Sequence, residues 1–278
     1  MPESDFQHTD VADAFSAIAP IFESTFENEV TAKIRTTVYE SIRDVLPHGS
    51  SILDINCGVG IDALALAADG YSITGVDVSP GMIDQAAKRS SRNPGLKTEF
   101  FVSSFEDLSS LGSRTFDLVL SNFGGLNCSN SLDPVFARVA RAIHPKGYFL
   151  GVVMPRACFW EISAGLARLR PRSAFRRFQS GVRATGFHQH SFEVHYHPLR
   201  RLLSIASPWF DPVMIRGLSL FSPPPHAQAF RNRLPRISKM LDGLDVRVGK
   251  LPLLRGMGDH YLVLLQRNHT AVTIRDHQ

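Results

Sequence analysis

Short runs of β-branched and aliphatic residues alternate with amphipathic stretches through the first half of the chain, a pattern that predicts a parallel sheet flanked by helices. Strands are expected at 51–55, 72–76, 98–102, 116–121 and 148–153, and helices near 10–20, 28–45, 61–69, 80–89 and 134–143. Each strand ends at a glycine or a polar cluster, the punctuation a crossover connection needs. Beyond Pro155 the alternation fails. An amphipathic helix at 159–169, an Arg-rich segment, a short strand at 192–196 and a helix at 199–206 come before strand character returns at 213–220. The triple proline at 223–225 stops that strand, a helix covers about 227–246, and 260–266 reads as the last strand. The pattern divides the chain into a core with N-terminal helices (1–154), an insertion (155–207), and a segment that completes the sheet (208–278).

Composition narrows the class. The chain has 278 residues, 44% of them hydrophobic, enough to bury a core without disulfides. Its longest apolar runs are far too short to span a membrane. Cys57, Cys128 and Cys158 form no CxxC pair, which argues against zinc, iron-sulfur and dithiol chemistry, so no metal is expected. The first ten residues carry acids where a secretion signal needs basic residues, which predicts a cytoplasmic protein. Charge is uneven: residues 1–150 hold 11 Lys and Arg against 19 Asp and Glu, whereas residues 151–278 hold 19 against 7. Eight of the eleven histidines (188, 190, 195, 197, 226, 260, 269 and 277) share that second half. The asymmetry points to an anionic partner or to a solvated Arg-rich surface.

The segment richest in chemistry is Ser51 to Asp62, a buried strand running through Gly58-x-Gly60 into a helix. Glycines there let a ligand approach the backbone closely. Asp54, four residues before the first glycine, discriminates between ligands: a carboxylate there repels a pyrophosphate and attracts a cation such as the sulfonium and ammonium of S-adenosylmethionine (SAM). Asp77, 17 residues after Gly60, ends the next strand, where a carboxylate can accept both ribose hydroxyl protons.

The successive motifs ILDINCGVG (52–60), GVDVSPGMI (75–83) and FDLVLSNFGGLN (116–127) resemble those of class I SAM-dependent methyltransferases, especially the small-molecule ubiquinone/menaquinone and biotin-pathway type. The resemblance covers about residues 10–155. It implies an α/β, Rossmann-like, doubly wound sheet, mostly parallel with an antiparallel last strand, carrying an inserted cap after the fifth strand. It also implies that Asp54 and the Cys57 to Gly60 backbone hold the methionine moiety, Asp77 the ribose, and Val78 and Met82 the adenine. Two departures stand out. Asn56 replaces the usual glycine, so its side chain must point away from the ligand or contribute a hydrogen bond. Ser104 stands where many relatives place an acid near the adenine, which transfers that contact to the Ser104 hydroxyl or the Phe105 N–H, with Glu106 and Asp107 as substitutes or helix caps.

Ligands of a doubly wound sheet sit beyond the carboxyl ends of its strands, which places Asn122, Phe123 and Asn127 at the methyl-transfer end. The amide of Asn127 serves a substrate or forms a loop by itself. Two candidates for a catalytic proton acceptor lie in the second half: His260, beside Asp259, and Glu161, beside Trp160, where contact with an indole desolvates a carboxylate and makes it more basic. Trp160 itself is a candidate substrate contact. Each of these has a plain structural alternative, as a strand-entry pair or as two faces of one helix. His195 and His197 share a strand face but lack a third ligand. In the N-terminal helices Phe22, commonly tyrosine in the family, is expected to close over the ligand, while Arg35 reaches the cofactor carboxylate or covers the sheet.

The expected protein is a monomeric or homodimeric SAM-dependent methyltransferase acting on a small, apolar or aromatic acceptor with an anionic group. The weaker alternatives are an RNA-directed methyltransferase, a SAM-binding regulator, and an NAD(P)-dependent oxidoreductase, the last disfavoured by Asp54 and by the lack of a Tyr-x-x-x-Lys pair.

Overall fold

Why the strands stack in one central sheet is visible in Ile52 and Leu53. These neighbours are both fully buried yet belong to different clusters, one on each face of the sheet, as a period of two requires. The computed structural model of the chain describes residues 3–179, 181–187 and 190–268. Three N-terminal helices, α1 (Glu3–Ile18), α2 (Phe22–Phe26) and α3 (Glu29–Arg43), lead into β1 (Ser51–Asp54), α4 (Ile61–Ala68), β2 (Ser72–Asp77), α5 (Pro80–Ser91) and β3 (Thr98–Val102). Then come β4 (Phe116–Ser121), α6 (Asp133–Ala142) and β5 (Ile143–Val153). The insertion brings α7 (Phe159–Ala167), α8 (Pro171–Ala174), β6 (Val182–Phe187) and β7 (His190–Val194), and α9 (Leu199–Ala206), β8 (Phe210–Leu218), α10 (Gln228–Arg233), α11 (Pro235–Val248) and β9 (His260–Arg267) follow.

The main sheet has the order β3-β2-β1-β4-β5-β9-β8, in which β1 to β5 run parallel and β9 is antiparallel to both its neighbours. Val30, Ile34, Val38 and Ile42 of α3 and Ala63 and Leu66 of α4 cover one face. Val135, Phe136 and Val139 of α6 and Leu202 and Ala206 of α9 cover the other. The order in which successive strands are laid down reverses between β1 and β4, which opens a crevice above their carboxyl ends. The fold is therefore the Rossmann-like, doubly wound sheet expected, with the antiparallel strand next to its edge.

Three local differences have physical reasons. The helix read over 227–246 is two helices, because Pro235 supplies no N–H to continue α10 and instead starts α11. The seventh main-sheet strand starts at Phe210 and contains Pro212, which the sheet edge tolerates with a register shift. Strand β6 lies in the Arg-rich segment, where Gly181 and Gly186 hid it, and forms a separate hairpin with β7. That hairpin packs on α1 through Val11, Ala14 and Phe192. Helix α9, grouped with the insertion on its position in the sequence, packs in the main core. His188, His269 and His277 lie outside the described residues.

Candidate active site

The loop after β1 turns through Gly58 (φ +53°) and Gly60 (φ +78°), left-handed conformations that favour glycine. Asp77 pins this loop. Its carboxylate accepts the Gly58 N–H at 2.9 Å and the Ser79 N–H at 2.9 Å. Burial pushes Asp77 up to about 6, against the pull of those two amides. Asn56 points away from the ligand side: its amide donates to Asn122 O at 2.8 Å and accepts the Ser121 hydroxyl at 2.6 Å. Gly125 makes that possible, since a Cβ there would come within 2.2 Å of the Asn56 side chain.

Around the loop lies a cluster of acids with one buried cation. Asp54 is 1% exposed, and burial together with repulsion from Asp62 pushes its carboxyl well above the usual range. The Asn56 N–H is 3.5 Å from its Oδ1, while Oδ2 has no hydrogen-bond partner among the described residues. Asp62, in the first turn of α4, accepts the Tyr39 hydroxyl at 2.6 Å and the Asn122 amide at 3.0 Å and pairs with Arg35. Arg35 also binds Glu27 through two nitrogens, at 3.2 and 2.7 Å, and its guanidinium lies 4.6 Å from the Phe123 ring centroid. Phe123 has φ +48°, a strained conformation for an aromatic residue, at the turn that follows β4.

A cleft of about 820 Å³, partly open to solvent, lies over this cluster. Asn56, Cys57 and Gly58 form its floor, and Asp77, Val78 and Met82 one wall. Phe105 and Asn122 line it further along, and Phe22, Phe123 and Arg35 close the far end. Val11 and Phe15 of α1 complete the roof, on the N-terminal helical segment that the family resemblance placed over the ligand. Ser16 holds α1 there, 2.8 Å from the Ser79 hydroxyl that caps α5.

Other expected residues stand elsewhere. Asp54 and Gly60 lie beneath the floor, outside the lining. Ser104 accepts the Glu106 N–H at 3.1 Å and caps a local turn, leaving Phe105 to face the cleft. Asn127 is a correction: it is fully buried, and its amide binds Met154 N and O at 2.9 and 3.0 Å and His195 O at 2.6 Å, so no polar atom is left for a substrate. Trp160 packs edge-on against Phe230 at 5.0 Å, away from the cleft. Glu161 is not made basic by the indole. Burial raises it, but the Arg176 and Arg177 guanidinium groups, at 2.7 Å each, outweigh burial and hold it ionised.

Arg177, 3% exposed, bridges Glu161 to Asp259 at 2.5 Å, and Asp259 lies 3.0 Å from His260 Nδ1. The two residues chosen as proton acceptors thus belong to one buried network. His260 stands behind Phe123, with ring centroids 6.4 Å apart, and does not line the cleft. Cys158, Glu161 and Asp259 come close enough to suggest a metal site, but Arg177 neutralises both carboxylates and burial holds the Cys158 thiol protonated, up at about 12. None of Arg168, Arg170, Arg172, Arg176 and Arg177 lines the cleft, so the anionic group expected on the acceptor loses its partners. His195 and His197 serve the loops: His197 is buried against Ser129 O at 3.0 Å.

The strand order, the glycine turn and the acid ending β2 define the class I SAM-dependent methyltransferase fold. Residues 52–147, about a third of the chain, match the family described as methyltransferase domain. Among curated proteins, a S-adenosyl-L-methionine-dependent Diels-Alderase of Talaromyces variabilis is 34% identical over 114 residues, 40% of this chain and 38% of that protein. The 2-methyl-6-phytyl-1,4-hydroquinone methyltransferase of Synechocystis sp. is 32% identical over 106 residues, 37% of this chain and 32% of that protein. The chain thus spans about a third of the length of the curated relatives it matches. Among solved structures, the 4+2 cyclase SpnF superposes with a TM-score of 0.58 at 18% identity, over 93% of this chain and 94% of that one. Geranyl diphosphate C-methyltransferase of Streptomyces coelicolor gives 0.56 at 14% identity, over 85% and 80%. Among the described residues no helix is long and apolar enough to cross a membrane.

Proposed function

We propose that the chain is a methyltransferase that binds SAM in this cleft and methylates a small apolar or aromatic acceptor. The observation that carries the reading is the orphaned Asp54 Oδ2 beneath the glycine loop: a buried carboxylate with no paired cation and a single weak donor, on its other oxygen, fits a ligand that brings positive charge, and repels a dinucleotide phosphate. When bound, the sulfonium cofactor supplies an electrophilic methyl group.

The residues divide the remaining work. Asp77, already fixed by two amides, keeps free lone pairs for the ribose hydroxyls. Val78, Met82 and Phe105 offer apolar walls to the adenine. Arg35, held by Glu27 and Asp62, adds positive potential at the far end of the cleft, Asp54 sets a negative potential beneath the floor, and Val11, Phe15 and Phe22 exclude water. Asn122 and Phe123 bound the acceptor side. Apart from Asp77, which this reading gives to the ribose, no unpaired base lines the cleft among the described residues: Asp62 is locked by three partners, and burial holds the Cys57 and Cys128 thiols protonated. The acceptor therefore arrives as a nucleophile needing no lining base, or meets His260 once Phe123 turns aside.

Isothermal titration with SAM and with NADH tests the cofactor: SAM binding is expected, and NADH binding alone overturns the proposal. Turnover of a pool of apolar phenols and isoprenoids, followed by mass spectrometry, then reads one added methyl group per product. The lack of a lining base other than Asp77 also suits a second reading, a SAM-holding cyclase, since the chain is similar in sequence to a S-adenosyl-L-methionine-dependent Diels-Alderase and in fold to a 4+2 cyclase. It predicts a product isomeric with its substrate and no S-adenosylhomocysteine released.

A further inference from the structure

Helix α11 is amphipathic with its faces inverted. Its inward positions are polar: Ser238, 2% exposed, bonds Leu234 O, and Asp245 accepts Phe221 N, Ser222 N and Ser222 Oγ at 2.8, 3.1 and 2.7 Å. Asp242 is neutralised by Lys33 at 2.7 Å and Arg231 at 2.6 Å. Ile237, Met240 and Leu244, spaced three and four apart on one stripe, are exposed instead, Met240 at 67%. Leu251 and Leu253 in the loop that follows are exposed too, Leu253 at 85%. The charges beside this stripe are of one sign. Arg233, Arg236, Lys239, Arg247 and Lys250 are all solvent-exposed, while both acids of the helix are spent inward.

We propose that α11 and the 251–253 loop form a docking surface for an anionic phospholipid bilayer, on which the helix lies in the interface plane. Charge complementarity selects this occupant. A second copy meeting the first about a two-fold axis would bring the same cations together with no acid between them, and an uncharged apolar protein surface would leave them unpaired. A bilayer with anionic headgroups takes both features at once, the apolar stripe at the acyl boundary and the cations among the phosphates. The excess of Lys and Arg over Asp and Glu in residues 151–278 has the sign this surface needs. The inference rests on α11 alone and stands whether or not the cleft transfers methyl groups.

The test is co-sedimentation of the full chain with phosphatidylcholine vesicles, with and without about one-third phosphatidylglycerol. Binding is expected with the anionic vesicles, with loss in about 0.5 M salt and little binding to phosphatidylcholine alone. The double substitution Ile237→Asp with Met240→Asp should lower binding by at least about tenfold. So should the charge reversals Arg236→Glu with Arg247→Glu, which leave the apolar stripe intact and serve if the first pair fails to fold. Val102→Asp, at an exposed site on β3, should leave binding unchanged. No sedimentation of the unaltered chain, sedimentation of both altered proteins equal to that of the unaltered chain, or a dimer on light scattering that Met240→Asp dissociates would overturn the proposal.

Discussion

Replacing Asp54 by Asn separates what the glycine loop needs for folding from what it needs for binding. The exchange is isosteric and removes one negative charge at a site 1% exposed. In the free protein that charge is a liability. One carboxylate oxygen has a single weak donor and the other none, and Asp62 and Asp77 both repel it. Relieving a poorly compensated buried carboxylate, less the cost of an amide that is itself imperfectly paired, is expected to stabilise the chain by about 1 kcal/mol. In a chain of this length that raises Tm by about 2 to 4 °C. Binding should move the opposite way. For a separation of about 6 Å between the two unit charges and an effective dielectric of about 20, the attraction is about 3 kcal/mol, so SAM affinity should fall about 100-fold. Differential scanning calorimetry of the free protein and titration calorimetry with SAM read the two numbers. A variant that binds SAM as well as the parent refutes the electrostatic account of cofactor choice, and one that is destabilised refutes the reading of Asp54 as an uncompensated charge.

Further outcomes follow from particular contacts. Asp77 titrates at about 6 in the fold against 3.8 in its absence, so the native state holds the extra proton between those values and stability falls as pH rises from about 4 to 6. A ribose-binding role needs the ionised form, so SAM affinity should be level above about pH 7 and decline below about pH 6, by titration at fixed ionic strength; a flat profile down to pH 5 would remove Asp77 from the ribose site. Gly125→Ala should cost about 1 to 3 kcal/mol through its clash with the Asn56 amide, and Asn56→Gly in the same chain should recover most of it in a denaturant double-mutant cycle. Arg177→Met should cost about 3 to 5 kcal/mol, because Glu161 and Asp259 lose their shared cation, and urea unfolding is the measurement.

Much of the fold could be read from one dimension because its parallel strands are buried on both faces. Runs such as Leu118 to Leu120 and Phe149 to Val153 carry no polar side chain, and the strands end at glycines or polar residues. The glycine turn, Asp77 and the residues on either side of them are local in sequence, which is why that end of the cleft was legible. The acceptor end was not, since its arrangement depends on contacts between distant segments. Glu161 seemed to answer to its neighbour Trp160, yet its charge is set by Arg176 and Arg177, 15 and 16 residues on. His260 looked like a free base beside an acid, and a residue more than a hundred positions earlier, Phe123, screens it from the cleft. The arginines of the insertion suggested an anionic acceptor by composition, but composition carries no direction, and they face solvent or Glu161.

The side chain of Asn127 ties together the turn after β4, the end of β5 and the exit of the β6–β7 hairpin. The first of these connections lines the cleft through Phe123, Gly124 and Gly125, and in a doubly wound fold each of the three would ordinarily drift on its own during evolution. Here a single carboxamide makes them one rigid block. Grafting a different insertion onto this scaffold would succeed only if the incoming segment offered a carbonyl at the position of His195; otherwise the graft would loosen the turn after β4 and the end of β5 together.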